Sequence, residues 1–289
     1  MRARLLGCWA RCTPNHELPS TVTRQKLGHT VLGNTALGAA NSADTTSNTM
    51  VLVHGFTQTG DSWIPFLQHL APLLPETRFI VVDLPGHGSS TAIRADLSET
   101  AELLVSTAGR ATYVGYSLGA RVVLHAALAH PESVVGCGLI SGTAGIDDDA
   151  ERAARRSSDD LLAQRIRTIG TASFIDEWLA QPLFAHLTAA QAGRAARISN
   201  TEDGLAASLQ LCGTGTQLPL WHRLDTLAMP LLAIAGALDT KFVALARRMA
   251  VLAPQSRLEI IANAGHSAHL EQPAALATVL HHWMTSPRA

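Results

Sequence analysis

Residues 113–124 read YVGYSLGARVVL, a serine between two glycines with an apolar run on either side. Gly115-Tyr116-Ser117-Leu118-Gly119 is G-x-S-x-G, and its flanks decide the reading. ATYVGYS has strand character and RVVLHAALAH has helix character, so the serine sits on a tight strand-to-helix turn. Such a turn strains the serine backbone, and the two glycines remove Cβ atoms that would collide where strand and helix approach. The following helix aims its unpaired N–H groups at whatever the serine meets. The plainer reading is an ordinary serine in a glycine-rich turn, which explains the glycines but not the flanks.

Outward from this stretch the chain alternates. MVLVHGF (Met50 to Phe56) and RFIVVDLPGHG (Arg78 to Gly88) are short β-branched runs ending in glycine-rich turns, as buried parallel strands do. Between them, Trp63, Phe66, Leu67, Leu70 and Leu73 recur at helical spacing; Trp63 and Phe66 read as core. The rhythm continues through ELLVSTAG, RVVLHAALAH and VVGCGLISG, breaks after Ser141, and resumes with PLLAIAG, KFVALARRMAVLA, RLEIIANAG and PAALATVLHHWM. This predicts an α/β fold with a doubly wound, mostly parallel sheet. The interruption, rich in alanine and charge (DDAERAARRSSDDLLAQRIRTI), reads as an inserted helical cap over residues 145–222. The core is then residues 49–144 and 223–289, with 1–48 unassigned. Glycines in the junctions SGTAGIDDD and GTGTQLPLW are expected to let the cap rotate, with rigid turns as the rival reading.

A serine hydroxyl is a poor nucleophile or base until a histidine accepts its proton and an acid orients that histidine. The chain order for this topology is serine, acid, histidine. Asp239 follows the strand PLLAIAG, and His266 follows the strand that ends in NAG, so both emerge at the edge that carries Ser117. His269 is a competing base that lies deeper in its loop, where a packing or substrate-side role fits. Asp225 precedes its strand and falls at the opposite edge. The N–H groups of Leu118, just after the serine, and of Phe56, after Gly55 lets the first loop bend, are the candidate oxyanion hole.

Composition removes other classes. The 289 residues are 47% hydrophobic, enough for a large core, and 22 basic against 23 acidic residues leave no general field for nucleic acid or an anionic membrane. Cys8, Cys12, Cys137 and Cys212 form no zinc or disulfide framework, which fits a reducing cytoplasm. Arg11 interrupts the apolar patch near the start, which argues against a secretory signal. No apolar stretch reaches the ~18 residues of a membrane span. The thirteen histidines are dispersed, and neither a metal nor a cofactor is expected.

LVHGF, VVDLPGHGSS, GYSLGAR and AGH with HLEQP together resemble the α/β-hydrolase superfamily over roughly residues 50–285. AERAARRSSDDLLAQRI, FIDEWLAQPLF, GLAASL, GTGTQLPLW and GALDTKF look like the 2-succinyl-6-hydroxy-2,4-cyclohexadiene-1-carboxylate synthases of menaquinone biosynthesis. That resemblance implies a lyase. It would expel pyruvate from 2-succinyl-5-enolpyruvyl-6-hydroxy-3-cyclohexene-1-carboxylate with a Ser-His-Asp set and no acyl-enzyme. It also implies substrate contacts at Tyr116, Arg121, Arg155, Trp178 and Arg197, and a small polycarboxylate substrate is a reason for cationic forks in a pocket. A solvated charged face is the rival reading for Arg155, which stands beside Arg152 and Arg156, and ordinary surface exposure is the rival for Arg197 and Arg121. A carboxylesterase or thioesterase with the same triad is the rival reading for the whole chain, and a ligand-binding protein without catalysis is a third. Two features depart from the family: Ala120 stands where a glycine is usual, and the stretch to about Ser47 has no counterpart.

Overall fold

Residue-by-residue burial of short β-branched runs builds the sheet. The computed structural model describes residues 25–32 and 48–286; the N-terminal start with Cys8 and Cys12, and most of the segment NSADTTSNT, lie outside the described residues. Seven strands, β1 His29–Leu32, β2 Thr49–Val53, β3 Arg78–Val82, β4 Ala111–Tyr116, β5 Val134–Ile140, β6 Leu231–Gly236 and β7 Ser256–Ile261, are ordered β1-β3-β2-β4-β5-β6-β7. Every pairing from β3 to β7 is parallel. The edge strand β1 runs antiparallel to β3, with His29 opposite Val82 and Leu32 opposite Phe79. The unassigned N-terminal segment therefore contributes an edge strand.

Both faces of the sheet are covered. Met50 and Leu52 of β2 pack with Phe66 and Leu70 of α1 (Ile64–Leu70) and with Leu276 and Leu280 of the last helix. Val51 and Val53 point the other way, toward Leu104 of α2 (Leu97–Ala108) and Val122 of α3 (Leu118–Ala129). A strand buried on both faces reads as a continuous apolar run, as β2 does. The chain leaves β2 for β3 on one side and returns to β4 on the other, so the switch point lies at the carboxyl ends of β2 and β4.

Between β5 and β6 come α4 (Asp149–Leu179), α5 (Ala189–Ala192), α6 (Arg194–Ile198) and α7 (Glu202–Cys212). Asp148 caps α4 by accepting from the Glu151 N–H at 2.7 Å, and Gly170, at φ 80° and ψ 161°, breaks the helix. Ala163, Ile166, Phe174 and Ile175 of α4 pack against Leu205, Ala206 and Leu209 of α7. The chain closes with α8 (Thr240–Leu252), α9 (Ala268–Glu271) and α10 (Pro273–Thr285). No helix among the described residues is long and apolar enough to cross a membrane.

The junctions into and out of the insertion are hydrogen-bonded to each other and closely packed. Leu220 N–H donates to Ala144 O at 2.7 Å and Trp221 Nε1–H to Gly145 O at 3.0 Å, tying entry and exit together. A Cβ at Gly213 would lie 2.5 Å from Asp159, and one at Gly215 would strike the Arg156 backbone. These glycines permit close packing of the insertion's entry and exit.

Candidate active site

Ser117 sits at φ 52° and ψ −106°, a conformation L-residues avoid, and its N–H donates to Ile140 O at 2.9 Å. The glycines around it are required sterically: a Cβ on Gly119 would collide with Val53 O and one on Gly115 with the Gly119 carbonyl. Val53 pairs with Gly115, so the loop after β2 and the turn after β4 leave the sheet side by side. In the same way Gly236 pairs with Ile261, which brings the loops carrying Asp239 and His266 together.

The Ser117 Oγ and His266 Nε2 are 3.2 Å apart, and His266 Nδ1 is 2.8 Å from Asp239 Oδ2. An ionised carboxylate only accepts, so Nδ1 carries the hydrogen and Nε2 is left to accept from the serine hydroxyl. Asp239 is held by its position at the start of α8, where Oδ1 accepts from Phe242 N–H at 3.3 Å. Ser141 donates to His266 O at 2.8 Å, and the Phe242 ring meets the imidazole edge-on at 4.5 Å.

Hydrogen bonds hold most of the loop after β2. Gly55 N–H donates to Gln58 Oε1 (3.0 Å) and Gly55 O accepts from His54 Nδ1 (2.8 Å) and Gln58 N–H (3.1 Å). Thr57 N–H donates to His87 Nε2 (3.3 Å), Thr57 O accepts from Asn200 Nδ2 (2.9 Å), and Phe56 O accepts from Arg197 Nη1 (3.5 Å). Phe56 N–H has no acceptor among the described residues, and neither has Leu118 N–H in the first turn of α3. Gly55 leaves room for the Tyr116 ring, which a Cβ would approach to 2.6 Å.

A cavity of about 480 Å³ opens above Ser117, lined by Phe56, Tyr116, Leu118 and His266 from the core and by Arg155, Trp178 and Phe184 from the helices between β5 and β6. Arg121, 7% exposed, lines it one turn after Ser117. Its Nη1 reaches only neutral acceptors, Gly213 O at 3.3 Å and Gln217 Oε1 at 3.5 Å. Burial lowers its pKa to about 10, so it stays charged at neutral pH.

The family profile described as "Alpha/beta hydrolase family" matches residues 50–279. The chain belongs to the alpha/beta hydrolase family. Among relatives of this hydrolase-family chain, 2-succinyl-6-hydroxy-2,4-cyclohexadiene-1-carboxylate synthase of Citrobacter koseri is 35% identical over 252 residues, 83% of this chain and 95% of the relative. The synthase of the same name from Serratia proteamaculans is 32% identical, covering 82% and 93%. The solved structure of MenH from S. aureus superposes with a TM-score of 0.77 at 28% identity, over 87% of this chain and 96% of the other.

In this alpha/beta hydrolase the expected substrate-side residues divide. Tyr116, Arg121, Arg155 and Trp178 line the cavity. Arg155 is answered by a buried partner, its Nε donating at 2.8 Å to Asp159, which is 1% exposed. Trp178 lies edge-to-face on Phe56 with centroids 5.2 Å apart. Arg197 is placed differently from the substrate contact expected of it. It turns to the far side of the Phe56 loop, donating to Ala192 O at 2.7 Å, to Phe56 O and to Thr57 Oγ1, and lines a separate cavity there. His269 is fully buried between Trp63 (4.6 Å) and Tyr116 (4.4 Å), and burial keeps its pKa well below the ordinary value, a packing role. Tyr116 Oη pairs with Ser267 Oγ at 2.8 Å. Sequence reasoning missed Lys241 and Arg248, which join Asp147, Asp148 and Glu151 on the cavity wall. Lys241 was within reach, two residues after Asp239 in GALDTKF; Arg248 carries no local signal.

Proposed function

We propose that this chain is a 2-succinyl-6-hydroxy-2,4-cyclohexadiene-1-carboxylate synthase, a lyase that eliminates pyruvate from 2-succinyl-5-enolpyruvyl-6-hydroxy-3-cyclohexene-1-carboxylate in the cytoplasm. The observation that carries the reading is Arg121, a buried guanidinium with only neutral partners, in the same cavity as the Ser117–His266 pair. No carboxylate among the described residues hydrogen-bonds this guanidinium: buried Asp159 acts on it only through space while pairing directly with Arg155, and a substrate carboxylate would supply the charge-assisted bidentate contact it lacks. A pocket for neutral esters would have little use for it. The names of the relatives agree with this substrate class.

In the proposed reaction Ser117 Oγ takes or relays a carbon-bound proton to His266 Nε2, while Asp239 steadies the resulting imidazolium. The N–H groups of Phe56 and Leu118 hold the developing negative charge. The carbon–oxygen bond to the enolpyruvyl group then breaks, its electron pair leaves with the oxygen, and the proton on His266 returns to the departing fragment, released as pyruvate. No serine ester forms.

The test is incubation of purified protein with the precursor, following pyruvate through NADH consumption by lactate dehydrogenase. Pyruvate release that falls by about 10³-fold or more in Ser117→Ala supports the lyase. Absence of pyruvate, together with a burst of p-nitrophenol from acyl esters, assigns the site to ester hydrolysis instead.

A further inference from the structure

Thr57 is a fully buried threonine with a φ of 70°. It occupies the third position of a turn closed by Gln58 N–H to Gly55 O, and Phe56 before it has ordinary φ, so the turn is of type II. Glycine is the residue that position favours, and a threonine relaxes toward negative φ by flipping the Phe56–Thr57 peptide unless outside partners hold it. Two partners grip that peptide, His87 accepting from Thr57 N–H and Arg197 donating to Phe56 O and Thr57 Oγ1; a third, Asn200, holds the next peptide by donating to Thr57 O and holds Arg197 by donating to its carbonyl. The Gly55–Phe56 peptide, whose N–H has no acceptor among the described residues, shares the Phe56 Cα with the braced unit, so its aim depends on those partners.

Asn200 is the best placed of the three. It lies between α6 and α7, is 4% exposed, and ties three segments: Nδ2 donates to Thr57 O (2.9 Å) and Arg197 O (3.1 Å), and Oδ1 accepts from Gly88 N–H (2.9 Å). Its own position is set by two neighbouring contacts. Thr201 Oγ1 meets Thr91 Oγ1 at 2.8 Å, and Gly204 and Gly86 approach so closely that a Cβ on either would overlap the carbonyl oxygen of the other. We infer that Asn200 is a positioning residue for the Phe56 oxyanion donor, so that docking of the helical insertion assembles the charge-stabilising half of the site. The inference rests on the proposed function only in taking Phe56 N–H as a donor to the reacting group, and an oxyanion donor serves lyase and ester chemistry alike.

The test compares wild type, Asn200→Ala, Thr57→Gly and the double variant, each assayed for pyruvate release from the precursor and for p-nitrophenyl acetate hydrolysis. Loss of one oxyanion donor lowers kcat by about 10²–10³, and a donor out of aim is expected to lower it by about tenfold or more in Asn200→Ala. KM should stay within about twofold, the pattern of an interaction made in the transition state. Glycine at position 57 removes the strain that Asn200 restrains, so the double variant is expected to recover most of the lost kcat. A role confined to docking the insertion predicts no such rescue, and a rise in KM with unchanged kcat overturns the proposal outright. Amide hydrogen exchange of residues 55–58, read without substrate, should rise in Asn200→Ala and fall back in the double variant; unchanged exchange also overturns it. If the wild type releases no pyruvate, the lyase reading fails, while the ester and exchange measurements still decide the role of Asn200.

Discussion

Arg121 hydrogen-bonds only neutral acceptors and meets the Asp159 carboxylate only through space, whereas Arg155, 40% exposed, is paired with Asp159 directly. The two arginines therefore predict different losses. Arg121→Ala should lower kcat/KM for the succinyl-cyclohexene precursor by on the order of 2–5 kcal/mol, the cost of truncating one partner of a buried charged pair. Turnover of any neutral ester should change little. Arg121→Lys should recover only part, because an ammonium lacks the planar fork. Steady-state kinetics on both substrates checks this, and near-normal turnover of the precursor by Arg121→Ala would make the arginine structural.

At the scale of one element, the strand-turn-helix around Ser117 explains the departure at Ala120. A Cβ on Gly142 would lie 2.8 Å from the Ala120 Cβ, so the space a family glycine would leave at 120 is filled here and the facing residue is small. Ala120→Gly should cost about 1 kcal/mol, the helix-propensity difference, with activity retained. Gly142→Ala should cost more in urea unfolding and should be partly relieved when combined with Ala120→Gly. Additive losses in that double-mutant cycle would show that the two positions do not share one packing space. The turn itself was legible because its constraint is local: Gly115, Ser117 and Gly119 lie within five residues.

Across the whole molecule, buried histidines make stability depend on pH. His54 and His87 are fully buried, each donating from Nδ1 to a carbonyl and accepting at Nε2, from Leu84 N–H and Thr57 N–H respectively. Burial lowers their pKa values from 6.5 to about 4 and about 3. In the unfolded chain they bind protons below pH 6.5, while the folded protein refuses them until those lower values. The stability that these two neutral histidines contribute is therefore fully present above pH 6.5 and is lost as pH drops toward 4 and then 3, each adding a slope of up to about 1.4 kcal/mol per pH unit. Urea unfolding at pH 7 and pH 5 should show a lower midpoint at pH 5 with an unchanged m value, and His87→Gln should flatten the dependence. Equal midpoints at both pH values would contradict the assignment of neutral histidines.

Sequence alone determined the alternation of strands and helices, the turn at Ser117, and the loops carrying Asp239 and His266, because each follows from sterics and periodicity among residues close in the chain. It left β1 unread: four mostly exposed residues, HTVL, become a strand only through pairing with β3. The resemblance directed Arg197 toward substrate, since a matched motif identifies a cation but not the direction in which it points. Tertiary structure turned that arginine toward Thr57, 140 residues away, and set Asn200 on the same loop across 143 residues. A buried polar side chain bonds to whatever acceptors packing brings within about 3 Å, and packing joins segments whose separation along the chain carries no local trace.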